Sequence, residues 1–385
     1  MIITKNKVYY IGFSPINGIC NELFFEGSIT MYPNNEKGNI FFSNKVFTND
    51  RSDTVVQNFR KFILEKVTEL LSIDSNIQFM IFNDKKRTKE ICDFIPKKNL
   101  IVGNSSEILE YLNSKEKIRN FFHKKIPILN SEWKYGFEIH SRFTELYLSK
   151  KEKMVIQGEI GAGGENTYLI SDIDTLNQIE IYPNSRYCIS AYKPNVPINI
   201  TAVLGKEILL FPISAQLIKN ERGRFIYKGA DFTYPKQFSD SLKKCIQKYS
   251  LIISEHVKNM GYKGILGIDF IIDEHQNVYF MELNPRYQAS SFYISRELET
   301  NSNLNLAFLH YLSLIDKPFP QLDTNMFEKI QGSFLNCNNH EDAFNIPHDY
   351  EIKNGFFPNL ESSIYRKLYC SSIIDKGDFE QIKLR

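Results

Sequence analysis

The chain has 385 residues, of which 42% are hydrophobic and 24% charged, so its composition is globular and excludes disordered, collagen-like and coiled-coil classes. Lys and Arg number 47 against 45 Asp and Glu, and the formal net charge of +2 offers no field to hold a polyanion. Nucleic acid and membrane surfaces are therefore not expected as partners. At about 150 residues per domain, the chain should form two or three domains.

Targeting and cysteine patterns predict a cytoplasmic protein. No run of about 18 apolar residues occurs, and the N-terminal segment lacks the apolar core and cleavage site of a signal peptide. The 6 cysteines lie far apart and form no C-x-x-C pair, which predicts free thiols rather than disulfides or a cysteine metal site.

The first hundred residues carry the pattern of a parallel α/β domain. Short apolar segments rich in β-branched and aromatic residues predict strands over residues 8–13, 77–82 and 100–102. Residues 85–93, between the last two strands, predict a helix, as in an α/β unit. The first turn, residues 12–18, lacks the G-x-G-x-x-G spacing, so no dinucleotide site is assigned to it.

A predicted domain junction follows. Asn104 and Ser105 are good N-cap residues and predict one continuous helix that ends at Phe122. Apolar residues at helical spacing predict a long helix with Gly261 as its C-cap. The remaining predictions are strands over residues 154–157, 168–170, 187–190, 198–203 and 208–212, helices over 239–260 and 304–314, and domains over 1–103, 104–195 and 196–385.

The most informative segment is GILGIDFIIDEHQNVYFMELNPRYQ, residues 264–288, in which two alternating strands flank a polar turn. A four-residue loop would pair Asp273 with Val278. The same antiparallel register would place Asp269 directly opposite Glu282, so that both carboxylates share one face. Directly opposed residues have Cβ atoms about 4.5 to 5.5 Å apart.

Two carboxylates this close are unfavourable unless another group compensates for their repulsion. At about 4 Å they would repel by about 4 kcal/mol at an effective dielectric constant of about 20. A divalent cation would turn this repulsion into coordination, and Asn284 on the same face offers a third oxygen suited to Mg²⁺, with Arg286 beside it. The alternative is an exposed hairpin whose acids are solvated, or one of which is kept neutral by a raised pKa.

A glycine-rich segment, VIQGEIGAGGENTYLI, lies between two predicted strands at residues 155–170. Such a loop can present backbone N–H groups to phosphates without side-chain obstruction, although it lacks the Lys-Ser/Thr ending of a P-loop. A glycine-rich turn with no ligand is an equal alternative. Thr167 would likewise either donate to a phosphate or fill a strand position.

Taken together, residues 113–314 resemble the ATP-grasp superfamily. The resemblance rests on a lysine-bearing helix, a glycine-rich hairpin, an adenine-contacting strand and an acid-x-Asn hairpin in this order, with MELNPRYQ similar to the family's Glu-x-Asn-x-Arg signature. It implies an α/β (α+β) fold of the ATP-grasp type, preceded by a Rossmann-like pre-ATP-grasp domain. It also implies ATP and Mg²⁺ as cofactors and is compatible with Mn²⁺.

The resemblance assigns roles to individual residues. Asp269, Glu282 and Asn284 would hold the metal, whereas Arg286 would stabilise the transferring phosphoryl group and Gln288 is the second catalytic candidate. The implied nucleotide contacts are Lys115 or Lys117 to phosphate, Gln157 before the loop, Gly161, Gly163, Gly164 and Thr167 over the phosphates, Ser190, Ala191 and Tyr192 at adenine, and Gln216 near the ribose.

Some assignments have alternatives or depart from the family. A solvated charge on the helix surface is the alternative for either lysine, and Gln157 stands where many members carry a lysine. Biotin-carboxylase-like members carry a catalytic glutamate where this chain has residues 288–290, which argues against bicarbonate as the substrate.

The implied activity is that of a ligase that phosphorylates a carboxylate with ATP, releases ADP and passes the acyl group to an amine. An amino acid or a small peptide is the expected substrate, and a homodimer is compatible with the resemblance. A carrier-protein thiol is an alternative acceptor, and a nucleotide-binding protein without turnover is an alternative of another class. Four basic residues would either form a docking patch for an acidic carrier protein or belong to a solvated loop: Lys219, Arg222, Arg224 and Lys228.

Overall fold

The computed structural model describes residues 7–12, 24–30, 38–42, 53–81, 85–161, 164, 166–221, 223–302, 304–322, 325–337 and 366–370. The strands are β1 (Val8–Gly12), β2 (Gly27–Thr30), β3 (Asn39–Phe41), β4 (Gln78–Ile81), β5 (Leu100–Ile101), β6 (Ser131–Tyr135), β7 (Met154–Gly158), β8 (Thr167–Ile170), β9 (Arg186–Ala191), β10 (Asn195–Leu204), β11 (Ile208–Leu210), β12 (Ser214–Glu221), β13 (Arg224–Asp231), β14 (Gly264–Asp273), β15 (Val278–Asn284), β16 (Ser333–Cys337) and β17 (Arg366–Cys370). The helices are α1 (Asp53–Ile73), α2 (Lys85–Phe94), α3 (Ser106–Asn113), α4 (Lys115–Phe122), α5 (Gly136–Lys150), α6 (Ile173–Asn177), α7 (Asp240–Asn259), α8 (Ala289–Ser302), α9 (Leu306–Leu314) and α10 (Asn325–Glu328).

The N-terminal region is a parallel sheet in the order β3-β2-β1-β4-β5. Phe59 and Ile63 of α1 and Ile91 of α2 pack on Ile29 and Phe79 of the sheet. The predicted parallel strands and the helix over residues 85–93 are present. The sequence prediction missed α1, β2 and β3, and the turn over residues 12–18 lies outside the described residues except for Gly12.

A second, mostly antiparallel sheet follows the order β15-β14-β10-β12-β13-β8-β7-β9-β6, with β11 on β10, β16 on β13 and β17 on β16. Alternate residues of its central strands enter different cores, as expected for a sheet covered on both faces. Ile198 and Ile200 of β10 and Leu266 of β14 pack with α3, α4 and α7. Val203 and Ile265 pack with α8 and α9 on the opposite face.

The helix predicted to run continuously to Phe122 is wrong, because α3 and α4 are separate helices that meet at Ser114. Ser114 has an extended backbone, with φ −78° and ψ 106°, and its N–H donates to the carbonyl of Tyr111. Its Oγ accepts from the Lys117 N–H at 3.3 Å and so caps α4. A serine oxygen competes well for backbone donors, so a helix readily ends and restarts here.

The predicted four-residue loop of the carboxylate hairpin is also wrong, because Val278 pairs with Ile272 rather than with Asp273. The Asp273 carboxylate accepts from the N–H groups of His275 and Asn277, at 3.0 and 2.9 Å, and this lengthens the turn. A β-bulge after Asp269 then restores the register. Asp269 consequently lies opposite Glu282, as the sequence predicts.

The remaining helices and strands agree in part with the sequence predictions. Helix α7 is confirmed, but it ends at Asn259 with Met260 as its C-cap, and Gly261 follows the cap with φ +92°. Helix α9 begins at Leu306 after the N-cap Asn305. The sequence prediction missed α5, α8, β6, β12 and β13. The described part of the C-terminal segment, β17, pairs with β16 in the sheet.

The structure also addresses the membrane and disulfide expectations. None of the described helices is long and apolar enough to cross a membrane. Cys92, Cys188 and Cys245 are free thiols, in agreement with the prediction for these three residues.

Candidate active site

A cavity of about 210 Å³ lies between the strands that carry the glycine loop and the hairpin that carries the two acids. It is lined by most of the residues assigned to the site from the sequence: Lys115, Gln157, Gly161, Gly164, Thr167, Ser190, Ala191, Tyr192, Gln216, Asp269 and Glu282. The fold therefore collects side chains from α4, β7, β9, β12, β14 and β15 around one space.

Asp269 is the acid of the cavity whose pKa is shifted most. Its Oδ1 accepts from Asn199 Nδ2 at 2.6 Å and from Gln216 Nε2 at 3.0 Å, and its Oδ2 accepts from Asn284 Nδ2 at 2.9 Å. Burial, together with the charge of Glu282, raises the pKa of Asp269 to about 7, although the hydrogen bonds from Asn199 and Gln216 oppose this rise. An added positive charge would therefore stabilise the pair of Asp269 and Glu282.

Glu282 is balanced by a cation from another element. Lys115 Nζ lies 3.3 Å from Glu282 Oε2 and also donates to the carbonyls of Glu159, at 3.3 Å, and Gly161, at 3.4 Å. Lys115 is only 6% exposed, whereas Lys117 lies on the exposed face of α4. Of the two lysines that the sequence left open, Lys115 is the one that reaches the cavity.

Asn284, Arg286 and Gln288 adjoin Asp269 without lining this cavity. Arg286 is exposed and its Nη2 donates to Asn284 Oδ1 at 2.9 Å. Gln288 Oε1 accepts from Asn199 Nδ2 at 2.8 Å, and its Nε2 is buried with no partner among the described residues. This free donor is available to an oxygen of a ligand.

The oxygens around Asp269 suit a hard divalent cation. The described residues contain no group of three or more His, Cys, Asp or Glu side chains that could hold a metal ion. The site instead combines the two opposed carboxylates with the amide of Asn284, a donor set of oxygens that Mg²⁺ accepts in proteins. The residues present therefore fit the predicted ion.

The glycine hairpin is held against the neighbouring sheet. Gly164 has φ +90°, and a Cβ there would lie 1.8 Å from the carbonyl oxygen of Phe225 on β13. Only glycine allows this approach. Gly161, Gly164 and Thr167 line the cavity, and Gly163 lies outside the described residues.

The stretch assigned to adenine lies at the far end of β9. Ser190, Ala191 and Tyr192 line the cavity, and the Tyr192 ring stacks on Phe225 with centroids 6.5 Å apart. The Tyr192 N–H already donates to the carbonyl of Lys153 at 2.9 Å. This donor is therefore taken by the protein, and adenine would have to use other backbone groups of the stretch.

Sequence reasoning missed several residues of the cavity. Arg119 and Lys193 line it, and Asn199 binds Asp269. A signal for Arg119 was present, because it follows Lys115 by four residues and such residues share one face of a helix. No comparable signal marked Asn199, since its partner is 70 positions away.

Comparisons with known proteins agree with this arrangement. Residues 113–290 match the sequence model of the ATP-grasp domain. The butirosin acyl-carrier protein–L-glutamate ligase of Niallia circulans is 30% identical over 149 residues, which is 34% of this chain and 34% of that protein. The match thus spans about a third of the length of this curated relative.

Two solved structures share the fold over nearly the whole chain at 12% identity. Biotin carboxylase from Campylobacter jejuni, in a β-γ-ATP complex, has a TM-score of 0.64 over 95% of this chain and 87% of its own. Carboxyaminoimidazole ribonucleotide synthase from Aspergillus clavatus, complexed with ATP, has a TM-score of 0.60 over 97% of this chain and 96% of its own.

A third neighbour was solved with a metal-bound nucleotide. The biotin carboxylase domain of Hydrogenobacter thermophilus 2-oxoglutarate carboxylase, in complex with MgADP, ADP and bicarbonate, has a TM-score of 0.62 at 12% identity, over 95% of this chain and 86% of its own. The protein thus shares the mixed α/β fold of these neighbours, and its residues 113–290 are the part that matches the ATP-grasp domain.

Proposed function

We propose that this protein is an ATP-dependent, ADP-forming ligase that activates a carboxylate as an acyl phosphate. The observation that carries this proposal is the opposed pair of Asp269 and Glu282 at one end of a cavity that also contains Lys115 and the glycine hairpin. Two partly buried acids that face each other cost free energy, and the single cation Lys115 balances only one of them. The pair therefore favours a metal–phosphate site over an incidental surface feature.

Asp269, Glu282 and Asn284 would hold Mg²⁺, and the same oxygens would accept Mn²⁺. When bound, the ion would offset the negative charge of the ATP phosphates. Lys115 would bind a phosphate oxygen from α4, and the N–H groups of the glycine hairpin would cover the phosphates. Closure of the hairpin would exclude water from an acyl phosphate that water would otherwise hydrolyse.

The reaction would proceed in two displacements. A substrate carboxylate oxygen attacks the γ-phosphorus, the bond to the β-phosphate oxygen breaks, and ADP leaves. A nucleophile then attacks the carbonyl carbon, the bond to the phosphate oxygen breaks, and the proton of the nucleophile passes to phosphate or solvent. Arg286 would offset charge on the transferring group, and Gln288 Nε2 would donate to a substrate oxygen.

The first candidate acceptor is an amine, with an amino acid or a small peptide as the substrate. The second is the thiol of a carrier protein, which is favoured by the relative that ligates glutamate to an acyl-carrier protein. Lys219 and Arg224 are exposed on the β12–β13 hairpin, and Phe225 of the same hairpin lines the cavity. Basic side chains near the cavity would suit an acidic carrier.

The test is chromatographic quantification of ADP and AMP from MgATP with pooled carboxylates, with hydroxylamine present to trap an acyl phosphate as a hydroxamate. We expect ADP and a hydroxamate with particular pools, and AMP would contradict the mechanism. Addition of amines or of a carrier protein, in place of hydroxylamine, then distinguishes the two acceptors. ATP binding without ADP from any pool would favour the non-catalytic alternative.

A further inference from the structure

Arg119 of α4 is a buried cation on the wall of the cavity, only 5% exposed. Its guanidinium donates to the carbonyl of Met281 at 2.7 Å, to Cys188 Sγ at 3.3 Å and to Gln157 Oε1 at 2.6 Å. The guanidinium carbon also lies 5.6 Å from the centre of the Trp133 ring. All of these partners are electrically neutral.

The charge of Arg119 is therefore not balanced by the protein around it. No ion pair joins Arg119 to a carboxylate among the residues that the structure describes, whereas Lys115, one turn earlier, faces Glu282. Burying a cation without a counter-charge is costly, and such a group is stabilised when an anion arrives. A guanidinium has five N–H bonds, so two remain for a ligand after the three contacts above.

The position of Arg119 indicates which anion this is. Gln157 pairs with Cys188 in the ladder of β7 and β9, and Val155 pairs with Ser190. The Arg119 guanidinium is thus about 7 Å along β9 from the stretch assigned to adenine. On the other side, Lys115 begins α4 about 6 Å away along the helix axis and contacts the acid pair.

We infer that Arg119 binds the α- and β-phosphates of the nucleotide, and that Gln157 is a positioning residue that orients its guanidinium. This inference rests on the proposed use of ATP and deepens it. Lys115 then serves the end of the phosphate chain nearest the acid pair, and Arg119 serves the end nearest the nucleoside. One face of α4 supplies both cations.

The experiment measures the equilibrium dissociation constants of MgADP and of adenosine by calorimetry. We expect R119Q to weaken MgADP binding by about tenfold to a hundredfold and to leave adenosine binding within about twofold. R119K, which keeps the charge, should lose less. In R119Q/Q157K the charge returns from the neighbouring strand, because Gln157 Oε1 is 2.6 Å from the guanidinium, and MgADP affinity should recover.

Each alternative outcome is decisive. The inference is overturned if R119Q binds MgADP as the wild type does, or if it loses adenosine and MgADP equally, which would indicate a merely structural role. If R119Q does not fold, R119K and R119Q/Q157K are measured instead. The inference is then overturned if neither of these folded variants binds MgADP more tightly than adenosine. If the wild type itself does not bind MgADP, the proposed function fails as well.

Discussion

Lys115 Nζ and Glu282 Oε2 lie 3.3 Å apart, so the first residue of α4 neutralises one of the two acids that oppose each other on the β14–β15 hairpin. The contact joins the helix that begins beside the glycine hairpin to the β14–β15 hairpin, which carries the predicted metal ligands. Binding of a metal and of phosphate would give each partner a new counter-charge, and the ion pair therefore links loading of the site to the position of α4.

Replacement of Glu282 by Gln tests this acid directly. E282Q should reduce MgATP-dependent ADP formation at least about a hundredfold, because an anionic ligand is lost. The melting temperature should change little, because the relief of repulsion with Asp269 opposes the loss of the ion pair with Lys115. E132Q is the matched control, because Glu132 is also a strand residue, paired with Arg142 at 2.5 Å. ADP formation near the wild-type rate in E282Q would contradict the metal assignment.

The pKa of Asp269 predicts a pH dependence of metal–nucleotide binding. Burial and Glu282 raise this pKa to about 7, so much of the ligand-free protein carries a proton on Asp269 below that pH. A metal needs the ionised carboxylate, and binding must therefore release the proton and strengthen as the pH rises. We expect MgADP to bind about tenfold more tightly at pH 8 than at pH 6.

The control for this pH effect is ADP with a chelator in the same buffers, which should bind with little dependence on the state of Asp269. Calorimetry in buffers of different ionisation enthalpy would count the released proton. A dissociation constant for MgADP that does not change from pH 6 to pH 8 would show that Asp269 is already ionised or does not hold the metal.

The sequence carried enough information for the acid pair and for the positions of Lys115 and the glycine hairpin, because these depend on local alternation and on spacing within one hairpin or one helix. The opposition of Asp269 and Glu282 was predicted with a turn that is one residue too short, and the β-bulge corrects that slip. Turn chemistry and bulges depend on side-chain hydrogen bonds, here those of Asp273, which periodicity does not report.

Contacts between distant segments could not be predicted from the sequence alone. Asn199 contacts both Asp269 and Gln288, and nothing in its own stretch of sequence marks it. Gln216, which also contacts Asp269, and Gln288 were assigned to the site only through the family resemblance. The partners of Arg119 are likewise spread over β7, β9 and β15. Such groups of contacting residues can be identified only once the strand order of the sheet is known.

Ser114 should matter for both stability and nucleotide binding. Its Oγ caps α4 and donates to Glu159 Oε1 at 2.5 Å, which fixes the start of α4 against the glycine hairpin. S114A should lose about 1 kcal/mol of unfolding free energy and raise the KM for ATP several-fold. S105A is the matched control, because Ser105 caps α3 in the same way and lies outside the cavity lining.

Both serine variants should therefore be destabilised in urea titrations, S114A more than S105A because it also loses the hydrogen bond to Glu159, and only S114A should bind nucleotide more weakly. Equal KM values for ATP in the two variants would show that the start of α4 does not need this cap to position Lys115.

Gly164 tests whether the packing of the glycine hairpin on β13 is needed for function. G164A would place a Cβ 1.8 Å from the carbonyl oxygen of Phe225 at a backbone φ of +90°, so the hairpin must move away from β13. We expect the KM for ATP to rise about tenfold or more, because the loop could no longer cover the phosphates. G103A is the control, since a Cβ at Gly103 meets nothing within 4 Å. If G164A keeps the wild-type KM while G103A also does, the hairpin is a turn without a phosphate, which is the alternative that the glycine pattern alone left open.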